Sequence, residues 1–208
     1  MSAAREEVLG RIRAALADVP AAERAQDVPV PRGYRQALDL PVAGIVDLFA
    51  ERVADYQADV RRVRAADLPA AVAEALGGRR VGVPAGLPQE WYAGCDVVVD
   101  DGSLTVADLD ALDGALTGCA LGIAETGTIV LDGGDRSGRR VLTLLPDYFL
   151  CVVDVDQIVG SLPVAMAALR PERPTTFVSG PSATSDIELD RVEGVHGPRT
   201  LDVLIVDP

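Results

Sequence analysis

From Val60 onward the sequence alternates short apolar runs with helix-length segments, and this alternation restricts the fold more than any other feature. Val60–Val63, Arg80–Val83, Asp96–Val99, Ala120–Ala124, Thr128–Leu131, Phe149–Val153, Thr175–Val178 and Leu201–Val206 have the length and composition of strands. Leu68–Leu76, ended by Gly77-Gly78, carries a helical pattern, as do Val106–Leu112 and Asp156–Leu169. Strands alternating with helices predict an α/β domain: a mostly parallel sheet with helices on both faces. In open sheets of this kind, ligands lie beyond the C-terminal ends of the strands.

Two helical patterns precede this region. Ser2–Asp18 sets Val8, Leu9, Ile12 and Leu16 on one side and arginines elsewhere. Pro20, Pro29 and Pro31 make Val19–Gly33 a linker or extended arm. Val42–Tyr56 is a second helix with a stripe of Ile45, Phe49, Val53 and Tyr56. Either both helices lie outside the core, against a partner or a second copy, or they cover one face of the sheet. Residues 1–58 are therefore expected as an N-terminal segment of helices and linker, and residues 59–208 as the α/β domain.

Composition removes several function classes. An apolar content of 49% is ample for a continuous core in 208 residues, which sets aside disorder of the whole chain. The net charge is −13 and all 19 basic residues are arginine, a balance that disfavours non-specific nucleic-acid binding. Arginine is then the only permanent cation available to hold an anionic ligand. Cys95, Cys119 and Cys151 are odd in number and widely spaced, with no CxxC, so neither a disulfide framework nor an iron–sulfur cluster is expected in this chain. The charged N-terminus resembles no secretory signal and no apolar run approaches bilayer length, so a cytoplasmic protein is expected.

Two polar stretches follow strand-like runs and carry the candidate chemistry. Glu125, between Ala124 and Thr126-Gly127-Thr128, is placed to act as nucleophile or general base, or else to fix a hairpin as a turn residue. Ser179-Gly180-Pro181-Ser182 offers hydroxyls and backbone N–H groups ahead of a helix start at Thr184 or Ser185. Asp186 and Glu188 would fall in the first turn of that helix, where acids cap. His196 is the only histidine, held between Gly194 and Gly197-Pro198; it serves as an acid–base group, a metal ligand completed by Glu125 and Asp186, or a structural residue. Without HxH or HxxxH spacing no metal is assigned. Arg136, Arg139 and Arg140, in the glycine-rich stretch 132–140, either clamp a carboxylate or phosphate or form a solvated cluster. The chain has no GxGxxG, GxxxxGK[ST] or GxSxG, which removes the dinucleotide, P-loop and serine-hydrolase readings.

Ala-Glu-Thr-Gly-Thr-Ile-Val-Leu at 124–131, Ser-Gly-Pro-Ser-Ala-Thr-Ser-Asp-Ile-Glu at 179–188 and Gly-Val-His-Gly-Pro at 194–198 together resemble the LutC/YkgG family of lactate-utilization proteins, built on the LUD domain. The resemblance covers residues 60–208 and leaves the first ~55 residues to the reading above. It implies a fold of the NagB/RpiA/CoA-transferase class and a part in oxidising L-lactate to pyruvate alongside iron–sulfur partner proteins. Any electron carrier would reside in those partners, with no cofactor in this chain. The resemblance makes Glu125, Asp186 and His196 the candidate catalytic group around a small organic acid. Thr126, Gly127, Thr128, Ser179, Gly180, Ser182 and Thr184 are the candidate binding residues. Two other functions stay open at this point. One is a free-standing CoA-transferase-like or sugar-phosphate-handling enzyme using Glu125; the other is a non-catalytic assembly module. A homo-oligomer is compatible with each.

Overall fold

The structure is a computed structural model describing residues 3–20, 22–24, 29–181, 183–184, 192–193 and 197–208. The chain divides into two compact units, Met1–Arg35 and Gln36–Pro208. The first contains helix α1 (Ala3–Ala15), which buries none of its residues and carries a Glu7–Arg11 pair at 2.6 Å one turn apart.

The second unit opens with helix α2 (Val42–Asp55) and strand β1 (Asp59–Arg64), followed by α3 (Leu68–Leu76) and β2 (Val81–Pro84). Next come β3 (Val97–Asp100), α4 (Val106–Asp110), β4 (Gly114–Gly118), β5 (Leu121–Ile123) and β6 (Thr128–Leu131). The chain then runs through β7 (Tyr148–Asp154), β8 (Ile158–Val159), α5 (Leu162–Ala168) and β9 (Thr176–Val178). It closes with β10 (Ala183–Thr184), β11 (Val192–Glu193) and β12 (Thr200–Asp207).

Six strands form one sheet in the order β1-β12-β7-β4-β2-β3, and every pairing in it is parallel. The α/β architecture expected from the alternation is thus present. Its central strands read as near-continuous apolar runs because both faces are covered. Phe149, Cys151 and Val153 of β7, with Leu201, Val203 and Ile205 of β12, face a core shared with α2 and β6. Leu150, Val152 and Leu204 face the opposite way, onto Leu68, Val72 and Leu76 of α3. Those three α3 residues recur every four positions, the spacing of one helix face. Pro69 sits in the first turn of α3 and Gly77 caps its end in the left-handed conformation.

A second sheet, in the order β8-β5-β6-β9, was not apparent from the sequence. Its outer face packs Leu121, Ile123 and Val130 against Ala165 of α5. Ile129 and Leu131 point inward to the larger sheet's core. Chain direction explains how it forms: at Gly118 the backbone leaves β4 and enters β5, then turns back on itself as an antiparallel β5–β6 hairpin.

One expectation is corrected here. The segment expected as one helix over 156–169 is helical only from Leu162 to Ala168. Val155–Gln157 is a 3-10 turn, and Ile158-Val159 instead pairs in parallel with Gly122 and Ile123. The cause is local: two β-branched residues fit a sheet edge, and Pro163 suits the first turn of a helix, where α5 begins. Gln157 holds the turn, its Oε1 accepting from Asp154 N at 2.9 Å and its Nε2 donating to the Cys119 carbonyl at 2.9 Å. Of the two placements left open for Val42–Tyr56, the structure has the one against the sheet: Val46, Phe49 and Val53 of α2 are buried in its core, while Tyr56 stays on the surface.

At the N-terminal end of the parallel strands, Tyr148 Oη donates to Asp202 Oδ2 at 2.7 Å, and the Arg79 guanidinium lies 4.4 Å from the ring centre. Burial, the larger cause, lifts the Asp202 carboxyl above the ordinary carboxylate range, and the Tyr148 hydrogen bond opposes it only in part. A carboxyl whose folded pKa is raised binds its proton more tightly in the folded chain. Its stabilising contribution is therefore complete below the unfolded value of about 3.9 and is lost as pH rises through the folded value. Asp202→Asn keeps an acceptor for Tyr148 and does not titrate. Its urea midpoint is expected to exceed that of the parent at pH 7 and to converge on it as the pH falls toward 4. A gap that widened on acidification would contradict this assignment.

Candidate functional site

The turn holding Glu125 joins β5 to β6 and is a single 3-10 turn, Ala124–Thr126, closed by Gly127 at φ +58°. Glu125 N donates to the Gly160 carbonyl at 3.0 Å, which ties this turn to the residue after β8. The Glu125 side chain is half-buried, Thr126 is exposed and Thr128 is buried at 4% exposure. β9 lies antiparallel to β6, with Val178 opposite Ile129, so Ser179 emerges beside Thr128. Their hydroxyls are 2.8 Å apart, and Thr128 Oγ1 also lies 2.7 Å from Thr126 Oγ1. One buried hydroxyl thus joins two exposed ones, linking the Glu125 turn to the start of the Ser179 stretch. The two motifs, more than 50 residues apart in sequence, meet at one end of the smaller sheet.

What holds both stretches in place is α2. A Cβ at Gly127 would lie 2.6 Å from the backbone carbon and oxygen of Arg52, and one at Gly180 would lie 2.4 Å from Tyr56 Cβ. Gly180 has φ +82°, so both positions favour glycine for conformation as well as for space. One turn earlier, Gly122 leaves room for the Phe49 ring, whose Cε2 would be 2.9 Å from a Cβ there. Phe49, Arg52 and Tyr56 lie on one side of a helix, so α2 is a rail on which three glycines of the smaller sheet and its loops are seated. Gln57, at φ +68°, takes the left-handed position that ends α2 and turns the chain toward β1. The sequence reading identified the α2 stripe but missed its contact with the site. The signal was there in Gly122, Gly127 and Gly180, glycines placed within or beside strand-like runs where a backbone comes close.

Several predicted residues cannot be located. Ser182, Asp186 and His196 lie outside the described residues, and for Thr184 the backbone alone is described. Ala183–Thr184 is a short strand antiparallel to Val192–Glu193, and the helix turn expected after it, with Asp186 and Glu188, lies outside the described residues. The placement expected for the site is corrected. Glu125 and Ser179 belong to the smaller, mixed sheet, and not to the C-terminal ends of the parallel strands.

Those C-terminal ends are covered by the stretch 132–140. Arg139 makes a two-pronged pair with Asp100 at 2.9 and 2.6 Å, and Arg136 reaches Asp154 at 3.0 Å while lying 5.3 Å over the Trp91 ring. Gly118 N donates to the Arg136 carbonyl at 2.9 Å. Arg136 and Arg139 therefore fasten the loop to the sheet, and do not clamp a ligand. No group of His, Cys, Asp and Glu suited to a metal ion is found among the described residues. The three cysteines carry free thiols. Hydrogen bonding with Cys151, and burial next, push the Cys119 thiol well up, and burial pushes Cys95 up, which leaves neither as a ready nucleophile.

Comparison with known proteins follows this geometry closely. The LUD domain model matches residues 105–206, a span that includes both motif loops. Lactate utilization protein C of Deinococcus radiodurans is 48% identical over 210 residues, covering 98% of this chain and 95% of that protein. The likeness therefore includes the N-terminal segment, where no family motif was legible. Lactate utilization protein C of Shouchella clausii is 31% identical over 114 residues, 51% of this chain and about half (49%) of that protein. The crystal structure of a DUF162 family protein from Deinococcus radiodurans superposes with a TM-score of 0.70 at 46% identity, covering 81% of this chain and 99% of that one.

Proposed function

Because the chain belongs to the lactate utilization protein C family, with its LUD domain at residues 105–206, we propose that it is a component of an L-lactate utilization system. The observation that carries this reading is the 48% identity to a lactate utilization protein C across nearly the whole of both chains. No helix among the described residues is long and apolar enough to cross a membrane, which is compatible with the proposed place in the cytoplasm.

In this reading the cluster of Glu125, Thr126, Thr128 and Ser179 binds a small organic acid. Of the exposed hydroxyls of Thr126 and Ser179, one receives the single Thr128 proton and can turn its own toward a ligand carboxylate, while the other donates to Thr128. Glu125 is the acid–base group beside them, and His196 and Asp186 complete the site. Oxidising lactate to pyruvate removes two electrons and two protons, one from the hydroxyl oxygen and one from the carbon bearing it. In this scheme Glu125 takes the hydroxyl proton and His196 the proton from the carbon. The electrons pass to iron–sulfur centres in partner proteins, consistent with the scattered cysteines of this chain.

The test is growth of a strain whose own copy is replaced by Glu125→Gln or His196→Ala. Growth on L-lactate is expected to fail while growth on pyruvate continues. Normal growth on lactate with both variants would leave the loops a structural role and support the assembly-module reading instead.

A further inference from the structure

The arginines around the stretch 132–140 are not equivalent. Arg136 is paired with Asp154, Arg139 with Asp100 and Arg173 with Asp132. Arg140 differs: among the described residues it has no carboxylate partner, and its Nη1 donates only to Thr143 Oγ1 at 2.9 Å. The residue is exposed, and the partial burial of its side chain pushes its pKa down. Beside it is a cavity of about 40 Å³ bordered by the hydroxyl residues Ser137, Thr143 and Thr176 and by Gly133 and Gly138. Ser137 and Thr143 are 2% and 1% exposed, so these walls are fixed. Asp132, at the head of the same loop, is already paired with Arg173 and accepts from the Gly134 N–H.

We propose that this cavity is a second ligand site, which takes the carboxylate head of a small organic acid on the Arg140 guanidinium. Size and chemistry both select that group. At roughly 10–15 Å³ for each water-sized occupant, the space admits about three heavy atoms, a carbon and two oxygens. A guanidinium supplies paired donors matched to a carboxylate, and Thr176 adds a hydroxyl donor; Ser137 Oγ already donates to Asp132 and Thr143 Oγ1 to the Arg140 carbonyl. The site is separate from the Glu125 cluster. It adjoins the Leu131–Thr176 end of the β6–β9 pair, whereas Thr128 and Ser179 are at the opposite end, about 10 Å along the strands.

The experiment measures Tm of the full chain in sodium acetate, sodium phosphate or sodium chloride at matched ionic strength. At about tenfold excess over its dissociation constant, a ligand of the folded chain raises Tm at this length by roughly 4 °C. A saturable rise with acetate beyond that with chloride is expected. The part owed to this cavity should be lost in Arg140→Met and weakened in Arg140→Lys, leaving at most the response of the Glu125 cluster. The difference between the parent and Arg140→Met should persist in a Glu125→Gln background, so failure at one site is distinguishable from failure at the other. An acetate response equal to chloride, one undiminished in both Arg140 variants, or a larger response to phosphate would each overturn the assignment.

Discussion

Gly127→Ala is expected to lower Tm by roughly 10 °C. Two costs combine at this position. The backbone at φ +58° places an alanine Cβ against its own carbonyl, at about 1 kcal/mol or more. The same Cβ would come within 2.6 Å of the Arg52 backbone, which cannot move aside as a side-chain tip would. Displacing packed backbone adds about 1–3 kcal/mol. Near 3 kcal/mol in total, at some 2–4 °C per kcal/mol for a domain of this size, gives the stated shift. Thermal unfolding followed by circular dichroism measures it. A change below ~2 °C would mean that α2 and the Glu125 turn are not seated as described.

Phe49→Ala should destabilise by about 3–5 kcal/mol, read as a lower urea midpoint with unchanged slope. Phe49 is fully buried and is among the largest such side chains. Its ring fills the space above Gly122, between α2 and the smaller sheet, so truncation leaves a void that neither element can close by itself. Phe49→Leu keeps most of that volume and should recover the greater part of the loss. Since α2 also seats Gly127 and Gly180, the Ala variant should lose organic-acid binding along with stability. Loss of stability with the ligand affinity untouched would separate α2 from the site.

The parts of the fold legible in the sequence are those where one physical rule acts alone. Leu68–Leu76 shows a helix stripe bounded by Pro69 and Gly77, and its limits coincide with α3. Phe149–Val153 and Leu201–Val206 are buried on both sides and read directly as strands. Misreading arose where two rules compete. Residues 156–169 combine a helical apolar spacing with Ile158-Val159 and Pro163, and pairing with β5 prevails at the front of that segment. The smaller sheet is assembled from strands two to four residues long, drawn from three separate parts of the chain. Strands so short reveal their type but not their partners. The Thr128–Ser179 contact joins the loops that carry the LUD motifs, but the part played by α2 depends on tertiary packing that no local pattern encodes.

The central claim is that this chain supplies the Glu125 site to a lactate-oxidising assembly and does not oxidise lactate unaided. The most direct test is lactate-dependent reduction of a dye by the purified chain, by the chain joined to its iron–sulfur partners, and by the same assembly carrying Glu125→Gln. The expected result is no turnover by the chain alone, turnover by the assembly, and a loss of about 10²–10⁴-fold with Glu125→Gln while the partners still co-purify. Robust lactate oxidation by the isolated chain, or full activity of the Glu125→Gln assembly, would contradict it.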